Sequence, residues 1–301
     1  MMIYPSPLKN GDSVAVTAIA SLVSRDTIEP GIAVLESWGL NIRRGIHLYD
    51  RYGSFAGTDA DRLYDLQQAL DNPEIKAVFI ARGGYGTTRI MDQLRLKSLR
   101  KHPKWIVGFS DITALHAHLL GKGFIGLHGS MPGYYAKKKA RLSTAHLRRV
   151  LFGEWLSIKA PVHTLNRMGE ATGRIVGGNL AIISHLIGTG SDVDTKGNIL
   201  FLEDIGEHLY VIDRMMVQLK RAGKLKGLAA LVVGYFSKIK DTKPAFGKSA
   251  LDIIREHVEE YDYPVAFNFP IGHEDDNFPL PIGHKSSLSV REKTGSILIF
   301  F

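Results

Sequence analysis

The sequence predicts an α/β fold in which a parallel sheet carries helices on both faces. Two observations support this prediction: short apolar strands alternate with amphipathic helices, and glycine-rich or polar segments follow directly after several strands. Strands that alternate with helices are typical of parallel sheets, because each helix returns the chain to the edge from which the next strand starts. Ligands of such sheets bind beyond the carboxyl ends of the strands. The search for a functional site therefore begins at those ends.

The first half of the chain gives four strand predictions, each a short apolar run bounded by turn residues. These strands are Ser13–Ile19, Leu40–Arg43, Ile75–Ala81 and Trp105–Val107. Apolar residues at helical spacing predict the helices between them. These helices carry Ile28–Leu35, Leu63–Leu70 and Ile112–Leu119, and a further helix is expected between Gly86 and Trp105. Glycine or an Asn-Pro pair ends the three periodic helices.

The second half repeats the alternation after a less regular region that is rich in Lys, Arg, Pro and Gly. We predict a first domain at residues 1–155, a linker at 156–172 and a second domain at 173–301. The predicted helices are Ala145–Leu151, Leu180–Leu186, Leu209–Leu219 and Leu251–Val258. The predicted strands are Ile199–Leu202, Leu228–Phe236 and Pro264–Phe269, followed by a hairpin of Ser287–Arg291 and Ser296–Phe301.

Composition places limits on the partners. The chain has 301 residues, 45% of them hydrophobic, which is enough for a large core. The net charge of +8 is compatible with nucleic-acid binding, but the basic residues are dispersed and no basic–aromatic stripe is present, so we expect no nucleic-acid partner. The absence of cysteine excludes disulfides, thiolate metal sites and Cys nucleophiles. Without an apolar leader or a stretch of transmembrane length, we expect a cytoplasmic protein with no membrane partner.

Ser110 stands at the turn between a buried strand and a helix in KWIVGFSDITALHAHLLGKG. At such a turn a hydroxyl points out of the sheet, and the following backbone N–H groups lie at a helix N-terminus, which suits a nucleophile. The segment departs from G-x-S-x-G, because Ile112 stands where the second glycine belongs. The alternative is that Ser110 is only a helix N-cap, as serine often is.

A glycine-rich segment, Arg82-Gly83-Gly84-Tyr85-Gly86, follows the strand at Ile75–Ala81. Its N–H groups are able to cradle a phosphate, but the Lys-Ser/Thr of a P-loop is missing. The glycines are also suited to a close approach of backbone to substrate, with one N–H as an oxyanion donor. A tight turn without function is the third interpretation.

Two further groups carry possible chemistry. Glu203 ends an apolar strand, where catalytic side chains of α/β proteins gather, although a cap or a pair with Arg214 would explain it equally. His273 lies in PIGHEDDNFPLPIGH, so it is a candidate general base. A metal site of His273 with the three acids after it is less favoured, because consecutive acids do not readily face one ion. A surface turn is the remaining interpretation.

Five separated blocks together resemble the L,D-carboxypeptidase (muramoyltetrapeptide carboxypeptidase) family of serine peptidases. In chain order they are AVFIARGGYGTTRIMDQL, IVGFSDITAL, GRIVGGNLAIISHLIGT, ILFLEDIGEHLYVIDRMMVQLKRAG and IGHEDDNFPLPIG. The likeness extends from about Asp12 to Gly283. Any one block is unspecific, whereas five blocks in the right order are specific.

The resemblance implies a Ser-Glu-His triad of Ser110, Glu203 and His273. It also implies that the backbone N–H groups of Gly84 and Asp111 bind the oxyanion. The implied fold is an N-terminal flavodoxin- or amidotransferase-like parallel-sheet domain plus a smaller C-terminal α/β domain, with the active site between them, in a homodimer. No metal and no cofactor are expected.

The family's typical substrate is the murein tetrapeptide, from which the terminal D-alanine is removed during cytoplasmic cell-wall (peptidoglycan) recycling. The resemblance therefore predicts a serine-type L,D-carboxypeptidase. Arg82, Gly83 and Tyr85 are predicted to bind substrate, with Arg82 on its free carboxylate.

Two departures from the family pattern leave the choice of substrate open. Ala18–Ser21 stands where a Pro-Ser pair is expected, and Ser130 stands where proline is common. One branch of the family hydrolyses microcin C and similar peptidyl-adenylates, and it is expected to need an aromatic surface for the base. The loop Gly188–Asn198 has no aromatic residue, which favours the murein peptide. A non-catalytic protein that binds cell-wall peptides in the same cleft is the alternative from another class.

Overall fold

The computed structural model describes residues 2–300 as two sheets with helices packed against them. The strands of the first half are β1 (Ser13–Thr17), β2 (Asn41–Arg44), β3 (Ile75–Ile80), β4 (Trp105–Gly108) and β5 (Gly126–His128). The helices of this half are α1 (Arg25–Ser37), α2 (Asp59–Asp71), α3 (Lys97–Lys101), α4 (Thr113–Gly121), α5 (Pro132–Tyr135) and α6 (Arg141–Leu151).

The second half contains eight strands and three helices among the described residues. The strands are β6 (Ile158–Ala160), β7 (Gly169–Asn179), β8 (Ile199–Ile205), β9 (Ala230–Ser237), β10 (Val265–Ala266), β11 (Leu280–Ile282), β12 (Lys285–Arg291) and β13 (Gly295–Phe300). The helices are α7 (Leu180–Leu186), α8 (Leu209–Arg221) and α9 (Ala250–His257). None of the helices in residues 2–300 has the length and apolar character that a membrane crossing requires.

The first sheet has six strands in the order β11-β5-β4-β3-β1-β2. Its first five strands in sequence run parallel, and β11 pairs antiparallel with β5 through Leu280 opposite His128. The direction of the strand order reverses between β1 and β3, which is where ligands bind in open parallel sheets. A strand from the C-terminal part of the chain therefore completes the N-terminal sheet.

The second sheet has seven strands in the order β10-β9-β8-β7-β12-β13-β6. Strand β7 is 11 residues long and takes part in two ladders. Its first part pairs antiparallel with β12, and its last part, Ile175–Asn179, pairs parallel with β8. This long strand turns a parallel α/β unit into a mixed sheet that also carries the C-terminal hairpin.

The two halves share one apolar core. A single cluster of buried side chains joins α4 of the first half to α7 and β8 of the second, through residues such as Ile112, Leu115, Leu180 and Leu200. Burial of this shared surface removes apolar area from water in both halves at once. The predicted α/β class, with a parallel-sheet first part and an α/β second part, is confirmed.

Several element predictions need correction. The helix expected after Gly86 is two short 3-10 turns and the five-residue α3. The predicted strand Pro264–Phe269 is reduced to β10, whose two residues pair with β9. The strand that carries Glu203 continues two residues beyond it.

The predicted linker at 156–172 contains β6 and the start of β7, both members of the second sheet. The division into domains at 1–155 and 173–301 stays a prediction. Phe301, the last residue of the predicted hairpin, lies outside the described residues.

His116 on α4 supports the strand that leads to Ser110. Its ring is 1% exposed, and Nε2 lies 3.0 Å from the carbonyl oxygen of Gly108, the last residue of β4. A Cβ at Gly126 would lie only 2.2 Å from His116 Nδ1, so glycine in β5 leaves room for the ring. Burial lowers the pKa of His116 from its ordinary value of 6.5 to about 4.

We expect this buried histidine to reduce the stability of the protein as the pH falls from 6.5 to about 4. In that interval the unfolded chain binds a proton at His116 and the folded chain does not, so acid favours unfolding. The largest loss from this one residue is about 3 kcal/mol, at 1.36 kcal/mol per pH unit. Denaturant unfolding at pH 7 and pH 4 measures it.

His116→Gln is the matched variant, because its amide still donates to Gly108 and does not titrate in this range. We expect the free energy of unfolding to fall less between the two pH values in this variant. An equal fall in both proteins would contradict the assignment.

Candidate active site

Ser110 adopts a left-handed backbone conformation immediately after β4. Its φ is +65°, which is rare for a residue other than glycine. A 3-10 turn over Ser110–Ile112 then leads into α4. A Cβ at Gly83 would lie 3.1 Å from Ser110 Cβ and 3.3 Å from Ser110 Oγ, so the glycine-rich segment passes close beside the hydroxyl. This strand–turn–helix with a strained serine has the geometry of a nucleophile elbow.

The hydroxyl of Ser110 does not act as a helix cap. Phe109 precedes the 3-10 turn and Ile112 precedes α4, and no side-chain capping bond is present at either position. Within residues 2–300, Ser110 Oγ has no hydrogen-bond partner in the protein, His273 included. The hydroxyl is half-buried and therefore remains available to a substrate.

The glycine-rich segment after β3 is held in place by Ser21 from the loop after β1. The Ser21 N–H donates to the carbonyl of Gly83 over 3.2 Å, and Ser21 Oγ accepts from the N–H of Tyr85 over 3.4 Å. Gly84 has a φ of +103°, and a Cβ there would lie 2.1 Å from Ser21 Oγ. The conformation and the close approach both require glycine at this position.

The backbone N–H groups of Gly84 and Asp111 have no protein acceptor within residues 2–300. The Asp111 side chain is tied elsewhere, because its Oδ2 accepts from the N–H of Thr87 over 2.9 Å. Burial raises the pKa of the Asp111 carboxyl, and the bonds from Thr87 oppose this rise. Both free N–H groups belong to segments that border Ser110, so they are available to an anion formed beside its hydroxyl.

Glu203 and His273 form a direct pair. Glu203 lies on β8 and is 0% exposed, and its Oε2 is 2.6 Å from Nδ1 of His273, whose side chain is 9% exposed. A carboxylate accepts, so Nδ1 carries the hydrogen and Nε2 is left with its lone pair. The structure therefore brings together two predicted site residues that are 70 positions apart.

The loop that carries His273 passes directly over Glu203. Gly272 has a φ of +128°, and a Cβ at this position would lie 3.0 Å from Glu203 Oε2. Asn277 fixes the loop, since its Oδ1 accepts from the N–H of Gly272 over 3.0 Å. Sequence analysis missed Asn277, although it belongs to the GHEDDN segment, because nothing in a single sequence shows which polar side chain of a loop turns inward.

Phe109 connects the histidine to the serine. Its ring centroid is 4.8 Å from that of His273 and 5.7 Å from that of His128, a buried residue of β5. Burial lowers the pKa of His128 well below its ordinary value, so this ring is a neutral part of the floor. Because Phe109 directly precedes Ser110, this ring contact places the turn with the serine next to the loop with the histidine.

Tyr134 packs against Phe109, a contact that sequence analysis did not predict. Its ring lies 5.8 Å from that of Phe109, and Lys137 Nζ lies 4.2 Å from the Tyr134 ring centroid. Lys137 also approaches Asp275, in the loop after His273, at 3.7 Å. The basic segment Lys137–Lys139 is thus connected through Lys137 to the loop that carries His273.

The predicted substrate-binding residues belong to the glycine-rich segment Arg82–Gly86. Arg82 Nη1 donates to the carbonyl of Leu22 over 3.0 Å, and its side chain is exposed. Tyr85 is 55% exposed, with its ring 5.8 Å from that of Phe55. Neither side chain is buried by the described protein, so both are free to contact a ligand.

The side chains that converge as possible metal ligands do not include Ser110, Glu203 or His273. In residues 2–300, the one group of three or more such residues is His47, Asp50 and Asp61. His47 Nδ1 already bonds Asp50 at 2.7 Å, and Asp61 serves as the N3 residue of a capping box with Thr58 on α2. Protein contacts account for these side chains, and the His273 loop does not form such a group.

Comparisons with known proteins cover nearly the whole chain. Residues 14–129 match the LD-carboxypeptidase N-terminal domain, and residues 172–288 match the LD-carboxypeptidase C-terminal domain. A probable murein peptide carboxypeptidase of Bacillus subtilis is 34% identical over 298 residues, which cover 97% of this chain and 93% of the relative.

Solved structures agree with the fold. The crystal structure of muramoyltetrapeptide carboxypeptidase from Oxalobacter formigenes has a TM-score of 0.87 at 31% identity, covering 96% of this chain and 99% of that one. The microcin C7 self-immunity protein MccF in complex with aspartyl sulfamoyl adenosine has a TM-score of 0.89, covering 99% and 98%. At 18% identity, the second likeness concerns the fold alone.

The contact between Gly84 and Ser21 gives a stability prediction. Gly84→Ala should lower the free energy of unfolding by roughly 2–4 kcal/mol, from strain at positive φ together with overlap against Ser21. In a Ser21→Gly background the overlap disappears, because the nearest remaining atom is Ser21 Cα at 3.9 Å. The cost should then fall to the backbone strain of about 1–3 kcal/mol.

A double-mutant cycle by denaturant unfolding measures this coupling. Gly188→Ala is the matched control, since Gly188 has a φ of +82° with no atom within 4 Å of its would-be Cβ. Its cost reports strain without overlap. Equal costs for Gly84→Ala in both backgrounds would show that Ser21 does not constrain the segment.

Proposed function

We propose that this chain, which belongs to the LD-carboxypeptidase family, is a serine peptidase that releases the C-terminal D-amino acid from the murein tetrapeptide. Membership of the family, as the resemblance of five blocks indicated, rests on the two matched domains and on a relative 34% identical over 97% of the chain. The chain is accordingly an enzyme of a peptidase family. The serine mechanism and the substrate are the proposal.

One observation supports the mechanism most strongly, the 2.6 Å contact between His273 and Glu203 beside Phe109 and Ser110. With Nδ1 donating to Glu203, the Nε2 lone pair is suited to take the proton of the Ser110 hydroxyl. Glu203 then stabilises the imidazolium cation that forms. Catalytic hydrogen bonds are often long or poorly aligned in the absence of substrate and shorten when it binds. The lack of a hydrogen bond between Ser110 and His273 is therefore compatible with this role.

The reaction proceeds in two half-reactions. Ser110 Oγ attacks the carbonyl carbon of the L-centre residue before the terminal D-amino acid, while its proton passes to His273 Nε2. The tetrahedral oxyanion is bound by the N–H groups of Gly84 and Asp111. Collapse breaks the C–N bond, and His273 returns the proton to the leaving amine. Water then hydrolyses the acyl-enzyme by the same proton route.

Residues along the glycine segment are proposed to hold the substrate. Arg82 has an exposed guanidinium that donates from Nη1 to the carbonyl of Leu22 and has no carboxylate partner within residues 2–300, so it is suited to the terminal carboxylate of the peptide. Gly83 lets the substrate backbone approach Ser110, and the exposed ring of Tyr85 forms the rim. No metal or cofactor takes part in this scheme.

The setting of the reaction is part of the same proposal. From the family resemblance we propose a cytoplasmic homodimer that acts in cell-wall recycling, with Ser110 on an N-terminal domain and the Glu203–His273 pair on a C-terminal one. The alternative substrate is a microcin C-like peptidyl-adenylate. The loop Gly188–Asn198 carries no aromatic side chain for an adenine to stack on, which favours the murein peptide.

Ser110→Ala should abolish release of the terminal D-alanine, with a loss of about 10⁴-fold or more, because no nucleophile remains. Glu203→Gln should reduce turnover by roughly 10³–10⁴-fold, because the amide no longer enforces the tautomer of His273. Mass spectrometry of purified protein incubated with murein tetrapeptide, and separately with a peptidyl-adenylate, follows both products.

The matched control is a second histidine–carboxylate pair, His257 and Asp213, whose Nε2 and Oδ1 lie 2.8 Å apart on α9 and α8. His273→Asn should inactivate the enzyme, and His257→Asn should leave turnover within about twofold. If the protein cleaves only the peptidyl-adenylate and not the tetrapeptide, the proposed substrate is wrong and the alternative substrate is correct. If the unaltered protein binds the tetrapeptide without cleaving it, and Ser110→Ala binds it equally well, the chain is a non-catalytic binding protein instead.

A further inference from the structure

We propose that Thr113, Asn179 and Asp204 are positioning residues, which form a hydrogen-bonded link that holds the Ser110 turn in register with the buried histidine–carboxylate pair. The inference rests on the proposed function, because it concerns the alignment of the same catalytic groups. The link crosses between the two matched domains, since Thr113 lies within residues 14–129 and the other two lie within 172–288.

Thr113 is the end of the link on the serine side. It is the first residue of α4, three positions after Ser110, and it is buried. Its Oγ1 accepts from the backbone N–H of Asn179 over 3.1 Å. Gly178 permits this approach, because its φ is +145° and a Cβ there would lie 2.6 Å from Thr113 Oγ1. The contact is therefore built into the backbone of the second half.

Asn179 is the middle of the link. It ends β7 and stands opposite Glu203 in the parallel ladder between β7 and β8. Its Nδ2 donates to Asp204 Oδ1 over 3.0 Å, while its Oδ1 accepts from the N–H of Ile182 over 3.3 Å and caps α7. Both ends of the buried amide are thus used, and its orientation is fixed.

Asp204 is the end of the link on the carboxylate side. It follows Glu203 on β8, so the two side chains point to opposite faces of the sheet. Its Oδ2 accepts from the N–H of Ala181 over 3.0 Å, and its Oδ1 also accepts from the N–H of Ile205 over 2.8 Å. Burial and the charge of Glu203 raise the pKa of Asp204 to about 7. Its protein partners are all donors, which fits the acceptor role of the carboxylate.

The link supplies what the apolar core between the halves does not. The apolar cluster to which Leu115 and Leu180 both belong is stabilised by a non-directional effect. Hydrogen bonds are directional, so the link fixes the relative position of α4 and β8. A misplacement of about 1 Å between nucleophile and base costs roughly 10²-fold in rate. Loss of the link should therefore reduce turnover more than substrate affinity.

Thr113→Val tests the link, because it keeps the shape of threonine and removes the acceptor. We expect kcat on the murein tetrapeptide to fall by about 10- to 100-fold, with KM changed less than about threefold. Thr113→Ser keeps the hydroxyl and should restore most of the turnover. The matched control is Thr144→Val on α6, a buried threonine whose Oγ1 has no partner within residues 2–300.

A second measurement, covalent labelling of Ser110, does not depend on recognition of the peptide substrate. The rate at which a fluorophosphonate labels Ser110 depends on activation of the hydroxyl by His273, and it should fall in Thr113→Val in parallel with kcat. Wild-type protein that is not labelled would overturn the serine mechanism itself. If the wild-type protein is labelled, and Thr113→Val is labelled at the same rate and has the same kcat as wild type, only the positioning role is overturned.

Thermal unfolding of the same proteins separates positioning from folding. A fall in kcat in Thr113→Val with a melting temperature close to that of Thr144→Val supports the inference. Failure of Thr113→Val to fold while Thr144→Val folds would overturn it, because the contact would then be structural. A rise in KM with unchanged kcat would also overturn it.

Discussion

The burial of the Glu203 carboxylate is the constraint on which the site depends. An ionised carboxyl without access to water is tolerated only when it is paired, and Oε2 meets His273 at 2.6 Å. The other oxygen, Oε1, is buried without a hydrogen-bond partner in the described chain. Two glycines press against this side chain, since a Cβ at Gly234 would lie 3.2 Å from Glu203 Cβ and one at Gly272 would lie 3.0 Å from Oε2. Only glycine lets the chain cover the pair this closely.

The same pair explains why the chain does not divide cleanly into two parts. His273 must reach Glu203 on the second sheet and also pack on Phe109 from the first. The loop after His273 then continues as β11 into the first sheet, through the pairing of Leu280 with His128. A loop anchored to both sheets within a few residues fixes the histidine at their junction. The sheet topology therefore helps to fix the position of the His273 ring.

Sequence analysis predicted the elements whose signal is local. Apolar runs located β1, β3, β4, β8 and β9 to within three residues, because such runs are long enough to be recognised without their partners. It missed β5, β6 and β11, which are three residues each, and also the 11-residue β7; all four are held by pairing with strands distant in sequence. It extended β10 too far, because the positive φ of Asn268 is not visible in an apolar sequence pattern.

The site shows the same limit. Motif context singled out Ser110, Glu203 and His273, but nothing local indicated the inward orientation of Asn277 or the position of Tyr134 beside Phe109. These placements arise from packing between segments far apart in sequence. A single chain without its fold carries no signal for them.

Departures from ordinary backbone and burial rules help to separate function from structure in this protein. Among residues 2–300, three residues other than glycine have a positive φ: Ser110, Lys238 and Asn268. Asparagine tolerates this conformation through local hydrogen bonding, whereas serine adopts it at a cost. Ser110 also borders two backbone donors that have no protein acceptor within residues 2–300, the N–H groups of Gly84 and Asp111. Strain and unsatisfied polar groups are each unfavourable for folding, and their coincidence around Ser110 indicates that the chain is arranged there for chemistry rather than for stability.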